Sequence, residues 1–192
     1  MLTAIGCAEK RNAQESILPS DCLLQTGDIV FRRGSGLTSR AVIIADKGGV
    51  YSHVGIVVET DSGLMIAHAV PGEYDFEGDN DRVKLDKPKK FFSNVNAVCG
   101  EVCRHNDSKA AEKAAKIALS IYERNTPFDH NYDETDTTKM YCTQLITHSF
   151  EKAGKPFVNI KHDDIDFLML HTRCILPSAL LESKQLRSIY KF

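Results

Sequence analysis

The sequence predicts an α+β domain in which an antiparallel sheet packs against two helices. Residues 51–59 and 64–70 are rich in β-prone side chains, and the turn residues Asp61-Ser62-Gly63 between them are typical of a hairpin. Two later segments, residues 109–124 and 142–153, place apolar or small side chains at three- and four-residue spacing, as amphipathic helices do. No Pro/Gly-rich linker separates these patterns, so we expect a single domain.

The first 22 residues are predicted to be a tether, and residues 23–192 to be the domain. Gly6 and Cys7 resemble the end of a bacterial lipoprotein signal, although the charged region and most of the apolar region of such a signal are absent. Cys7 is therefore a candidate membrane tether, and the sequence favours the bacterial cell envelope or secretion over the cytoplasm. No run of about 18 apolar residues, the length that spans a membrane, is present.

The predicted hairpin carries His53 on its first strand and His68 on its second. Because strand side chains alternate between the two faces, a loop of even length places both imidazoles on one face. His53 then lies opposite Val70 or directly opposite His68, whereas an odd loop would separate them. Two histidines on one face are hard to explain as ordinary strand filling, so they are candidates for function.

The remaining elements are predicted from local composition and turn signals. In chain order they are a strand at 27–32, a helix at 38–47, strands at 82–86 and 97–104, a helix at 109–124, a short helix at 175–180 and a strand at 186–190. Gly48-Gly49 ends the first helix, and Asp107 or Ser108 caps the second. Residues 71–81, rich in Gly, Asp and Glu, are expected to form an exposed loop over the site.

Cys142 lies in the first turn of a predicted core helix. Thr137 and Thr138 are candidate N-caps upstream, while Gly154 and Pro156 supply the stop. At a helix start, unpaired backbone N–H groups and the positive end of the dipole stabilise a thiolate, which lowers the pKa of the thiol. A small buried hydrophobe is the alternative interpretation of a cysteine on an apolar helix face.

Composition narrows the partner class. The 24 basic and 26 acidic residues leave no broad positive field, so we expect no nucleic-acid partner. A small molecule, a peptide or a lipid-linked amide is expected instead. The six cysteines have neither metal-knuckle nor dense disulfide spacing, and no cofactor is predicted.

The motifs together resemble a known family. They are Gly27-Asp28-Ile29-Val30-Phe31, Tyr51-Ser52-His53-Val54-Gly55-Ile56, His68, Phe128-Asp129-x-x-Tyr132, Tyr141-Cys142-Thr143-Gln144-Leu145 and Ile175-Leu176-Pro177-Ser178. This set resembles the circularly permuted branch of the NlpC-type papain-like superfamily, which contains YiiX/YebB-like proteins and, more distantly, lecithin:retinol acyltransferase. The order of histidine before cysteine is the permuted one.

The resemblance implies a permuted papain-like fold with a thiol nucleophile, a strand histidine as base and a third polar residue that orients it. Matched residue by residue, these roles fall on Cys142, His53 and His68. The hydroxyl of Tyr141 or the backbone N–H of Cys142 is a candidate oxyanion donor.

The expected function is that of a cysteine-dependent hydrolase, an amidase or peptidase that forms a thioester acyl-enzyme. An acyltransferase or lipase acting on a lipid is the second hypothesis. A third is a zinc site formed by His53, His68 and Cys142, which are suitable ligand types. A non-catalytic binding module is disfavoured because all three chemical positions are filled.

Overall fold

The computed structural model describes residues 15–167 and 170–192. In these residues an antiparallel six-stranded sheet is the main element, and a separate two-stranded hairpin lies beside it. The strands and helices are, in chain order, β1 (Ile29–Arg33), α1 (Leu37–Ala45), β2 (His53–Thr60), β3 (Gly63–Val70), β4 (Arg82–Asp86), α2 (Pro88–Phe91), β5 (Cys99–His105), α3 (Ser108–Glu123), α4 (Cys142–Lys152), β6 (Asp163–Phe167), β7 (Leu170–Cys174), α5 (Pro177–Leu181) and β8 (Leu186–Lys191). The order across the large sheet is β4-β3-β2-β1-β5-β8, and β6 pairs with β7. The predicted α+β architecture, an antiparallel sheet packed against helices, is confirmed.

The β2–β3 hairpin has the register that places both histidines on one face. Thr60 pairs with Gly63, which leaves a loop of even length. Gly63 has a φ of 94°, in the left-handed region that favours glycine, so it allows the tight turn. Continued toward the start of β2, this register sets His53 opposite Val70 and two positions from His68. The first of the two predicted arrangements is therefore correct.

Helices cover both faces of the sheet, so there are two apolar cores. On one face, α3 and α4 pack over side chains that include Phe31, Val54 and Ile56. On the other face, α2 brings Phe91 and Phe92 against the opposite side of the same strands. Because β1–β3 are buried on both faces, their side chains are apolar in succession and do not alternate with polar ones.

Helix caps agree in part with the prediction. Asp107 caps α3, since its carboxylate accepts a hydrogen bond of 3.0 Å from the N–H of Ala110. The predicted caps Thr137 and Thr138 are wrong for α4, which begins after Tyr141. The chain just before Tyr141 is held in an isolated parallel bridge between Phe128 and Met140, so the helix cannot start earlier.

The described part of the predicted tether lies against the domain. The N–H of Ile17 donates a 2.8 Å hydrogen bond to the carbonyl of Phe92, and Ile17 and Leu18 pack on the second core. Cys7, the candidate lipid anchor, lies outside the described residues. Within the described residues, no helix combines the length and apolar character needed to cross a membrane.

Candidate active site

Cys142 is the first residue of α4, and the start of this helix is fixed from two sides. The side chain of Gln144 turns back and accepts a 3.2 Å hydrogen bond from the N–H of Tyr141. The hydroxyl of Thr143 donates a 2.6 Å hydrogen bond to the carbonyl of Ile175, just after β7. These contacts hold the thiol and the free N–H groups of the first turn in one position.

The thiol of Cys142 is half-buried and lines the same cavity as His53. Burial raises the pKa of this thiol to about 11, although the N–H groups of Val54, Thr143 and Cys142 and the charge of Arg32 act in the opposite direction. The thiol is therefore protonated at rest. The predicted lowering of its pKa is wrong, because desolvation outweighs the stabilisation that the helix start provides.

His53 and His68 are in direct contact. Nε2 of His53 lies 2.9 Å from Nδ1 of His68, and both rings pack edge-on or tilted against Phe91. Burial lowers the pKa of His53 well below its ordinary value, and the charge of Arg32 and the neighbouring His68 lower it further. Burial also lowers the pKa of His68, so both rings are neutral near pH 7. Since Nε2 of His53 is occupied by His68, Nδ1 is the nitrogen left for another partner.

Asp86, at the end of β4, lies on the far side of His68. Its Oδ2 is 3.3 Å from Nε2 of His68, a close polar contact that is not aligned as a hydrogen bond. Burial alone would raise the pKa of Asp86, but the contacts with His68 and Lys90 together lower it, so the carboxylate is charged. Sequence reasoning placed Asp86 on a strand and gave it no role. It shares a face with His68 only through the register of β3 and β4, which no short sequence pattern specifies.

Arg32 brings a buried positive charge to the site. Its side chain is 2% exposed, its Nη1 donates a 2.8 Å hydrogen bond to the carbonyl of Phe91, and its guanidinium lies 4.4 Å from the centre of the Phe91 ring. Glu73, in the loop after β3, forms an ion pair with it. This charge favours a thiolate on Cys142 and disfavours a proton on His53. Sequence reasoning missed both Arg32 and Glu73.

Tyr141 lines the cavity, but its hydroxyl is committed elsewhere. The hydroxyl donates a 2.5 Å hydrogen bond to Glu134 and accepts one of 3.2 Å from the N–H of Ile175. Burial raises the pKa of Tyr141, and Glu134 raises it further. A phenol has one O–H to donate, and that of Tyr141 is already hydrogen-bonded to Glu134. The backbone N–H of Cys142 is thus the better placed of the two predicted oxyanion donors.

The cavity holds about 330 Å³ and opens beside α1. Its wall is mostly apolar, with contributions from Ala41, Val42, Ala45, Val70, Pro71, Val95, Phe128, Ile165, Leu176 and Pro177. Several polar groups of the wall are already paired within the protein: Ser39 with Ser52, and Thr172 with the carbonyl of Tyr132. Ser35, Thr38 and Asn96 also line the cavity and are polar side chains that could orient a ligand.

Known proteins resemble this chain in sequence and in fold, and they confirm the predicted permuted papain-like fold. Residues 23–190 match the model of Peptidase_C92, described as permuted papain-like amidase enzymes of the YaeF/YiiX kind. Among solved structures, the chain is similar to the crystal structure of YiiX from Escherichia coli O157:H7, described as a metalloprotein. The TM-score is 0.67 and the identity 19%, over 88% of this chain and 97% of the other. That likeness concerns the fold. The sequence matches none of the curated proteins with which it was compared.

Proposed function

The chain belongs to the Peptidase_C92 family of permuted papain-like amidases and is a cysteine-dependent hydrolase, and we propose that Cys142, His53 and His68 carry out its reaction. One observation carries the assignment of roles. His53 is hydrogen-bonded through Nε2 to His68 and shares a cavity with the thiol, so its Nδ1 is available to accept the thiol proton.

The thiol of Cys142 and the imidazole of His53 are both neutral at rest, and this determines the order of the reaction steps. As Sγ of Cys142 attacks the amide carbonyl, its proton moves to Nδ1 of His53, and the oxyanion is stabilised by the backbone N–H of Cys142. Arg32 favours the negative charge that develops on sulfur. His53 then gives its proton to the leaving nitrogen, the C–N bond breaks and a thioester remains. Water attacks the thioester as His53 accepts a proton from it, the C–S bond breaks to release the carboxylic acid, and His53 returns its proton to the sulfur of Cys142.

The substrate that this cavity suits is an amide with an apolar substituent, such as a lipid-linked amide or a peptide with an apolar side chain. The support is the mostly apolar wall, several of whose hydroxyls are paired within the protein. Burial of such a substituent would supply binding energy of about 25 cal/mol per Å². Transfer of the acyl group to an amine or alcohol, the second hypothesis, uses the same thioester and differs in the acceptor.

A metal-centred function is not supported by the residues present. His53 and His68 direct ring nitrogens at each other at 2.9 Å, whereas a shared ion would need both nitrogens to point at one centre. Among the side chains that the structure describes, no group of three or more His, Cys, Asp or Glu residues is arranged to hold a metal ion. Metal analysis of the purified protein tests the hypothesis of a zinc site directly.

Acylation of the thiol is the decisive test. We expect p-nitrophenyl octanoate to add one octanoyl group to the wild type, seen by intact-protein mass spectrometry, and Cys142→Ala to abolish this adduct. Cys99→Ala is the control, since Cys99 is also half-buried but lies on β5 outside the cavity. An adduct that persists in Cys142→Ala would contradict the assignment. Release of the acyl group to water alone, with amines present, would favour hydrolysis over transfer.

A further inference from the structure

We propose that Asp86 is a positioning residue, which determines through His68 which nitrogen of His53 carries a proton. The inference deepens the proposed function and rests on the roles given there to Cys142 and His53. The three residues form a row across neighbouring strands, with His53 on β2, His68 on β3 and Asp86 on β4. Since His68 pairs with Lys84 and Ile66 with Asp86, the side chains of His68 and Asp86 are diagonal neighbours on one face.

Lys90 fixes the carboxylate of Asp86 from the other side. Nζ of Lys90 donates a 2.7 Å hydrogen bond to Oδ1, which leaves Oδ2 facing Nε2 of His68 at 3.3 Å. The Asp86 side chain is 2% exposed, so water does not compete for it. A charged carboxylate can accept protons but has none to donate. The charge of this carboxylate therefore favours the tautomer of His68 that carries its proton on Nε2.

The tautomer of His68 in turn determines the tautomer of His53. A neutral imidazole carries one N–H, so protonation of Nε2 makes Nδ1 of His68 an acceptor. The 2.9 Å contact with His53 then needs a proton on Nε2 of His53. Nδ1 of His53 is left with a lone pair on the side of the cavity, which is the form that can remove the proton of Cys142.

Replacing the carboxylate of Asp86 by an amide would reverse the direction of the hydrogen bonds that run from Asp86 through His68 to His53. In Asp86→Asn, Lys90 can only donate, so it holds the amide oxygen and leaves the amide NH₂ facing His68. His68 would then accept at Nε2 and donate from Nδ1, and His53 would accept at Nε2 and carry its proton on Nδ1. The base would face the thiol with a proton already in place. Asp86→Ala removes the preference without imposing the wrong one.

Single-turnover acylation with p-nitrophenyl octanoate tests this order. We expect a rate loss of about 100-fold or more for Asp86→Asn and of about tenfold for Asp86→Ala. A structural role would give the opposite order, because Asn preserves the shape of Asp and Ala does not. Asp28→Asn, with its folding checked by circular dichroism, is the control, since Asp28 is also a buried carboxylate paired with a cation, Arg104, but does not line the cavity; its rate should stay within about twofold of the wild type. An Asp86→Asn protein at least as fast as Asp86→Ala would overturn the proposal.

Nitrogen-15 NMR of the histidine rings provides a readout that needs no substrate. We expect Nε2 to be the protonated nitrogen of both rings in the wild type at pH 7, and Nδ1 in folded Asp86→Asn. Protonation of His68 on Nδ1 in the wild type would overturn the proposal even if the variant did not fold. A wild type that shows the expected tautomers but forms no adduct on Cys142 would contradict the proposed function while supporting the role of Asp86.

Discussion

At the scale of single residues, the surroundings of Cys142 determine its charge more than its place on a helix does. The first turn of α4 and Arg32 both favour a thiolate, yet burial raises the pKa of the thiol to about 11. The neighbouring His53 is neutral for the same reason. Proton transfer therefore accompanies attack on the substrate, and no ion pair stands ready beforehand.

The pH dependence of alkylation tests this resting state. The reactive form is the thiolate, so below a pKa of about 11 the rate of Cys142 alkylation by iodoacetamide should rise about tenfold per pH unit from pH 7 to 9.5. Arg32→Met should slow the reaction at each pH, because the charge that lowers the pKa of the thiol is lost. Peptide mass spectrometry after timed labelling measures both rates. A plateau near pH 6 to 7 would indicate a preformed ion pair.

The raised pKa of Cys142 also makes the stability of the fold depend on pH. The unfolded chain ionises its thiols near pH 8.5, before the buried Cys142 does. The contribution of this group to stability is thus fully present below that pH and decreases as the pH rises toward about 11.

The residues that the sequence could identify were those with local signals. Cys142 follows from helix spacing, and His53 and His68 follow from strand alternation and an even loop. Asp86 and Arg32 could not be found in this way, because their roles depend on contacts between strands whose pairing no short pattern specifies. Glu73 lies in a loop that composition marks only as exposed.

At the scale of elements, α1 is unusual because none of its residues is fully buried. Leu37 and Ile44 are 83% and 74% exposed, while Val42, on the same helix, lines the cavity. The helix therefore acts as one wall of the cavity and contributes little to either core.

This division within α1 can be tested with two matched variants. We expect the wild type to react at least about tenfold faster with p-nitrophenyl octanoate than with the acetate, since a longer chain buries more apolar surface. Val42→Glu should reduce this preference, because a carboxylate in an apolar wall disfavours a hydrocarbon chain. Ile44→Glu should leave it unchanged. Equal rates for both esters in the wild type would contradict the proposed substrate class without affecting the role of Cys142.

Elements of few residues were beyond the sequence prediction. The four-residue helix α2 is shorter than the window in which helical periodicity can be recognised. The β6–β7 hairpin was also missed. Longer elements with a full period, such as α3 and the β2–β3 hairpin, were predicted correctly.

At the scale of the whole molecule, the site needs both layers that cover the sheet. His53 and His68 pack on Phe91, which belongs to the core under α2. Cys142 begins α4, which belongs to the core on the opposite face. The thiol of Cys142 and the ring of His53 line one cavity, which lies at the start of β2.

The loop after β3 is attached to this assembly by charge. Lys84, 1% exposed, bonds the carbonyl of Glu73 and lies 3.0 Å from Asp75 and 3.4 Å from Asp79. We expect Lys84→Met to lower the Tm by about 5 °C, because Asp75 and Asp79 lose the buried cation that pairs with them. Limited proteolysis should also cut residues 71–81 faster. Lys161→Met is the control, since its pair with Asp163 is 64% exposed on the lysine side. An unchanged Tm for Lys84→Met would show that the loop is held by other contacts.

The row from β2 to β4 also has a consequence in time. His53, His68 and Asp86 all lie within residues 53–86, and β2, β3 and β4 pair consecutively, so their contacts are local in the chain. Cys142 follows Asp86 by 56 residues. At about 5–20 residues per second, a ribosome adds it about 3 to 11 seconds later. During synthesis the base can be assembled before the nucleophile exists, and the nascent chain stays inert until α4 docks on the sheet.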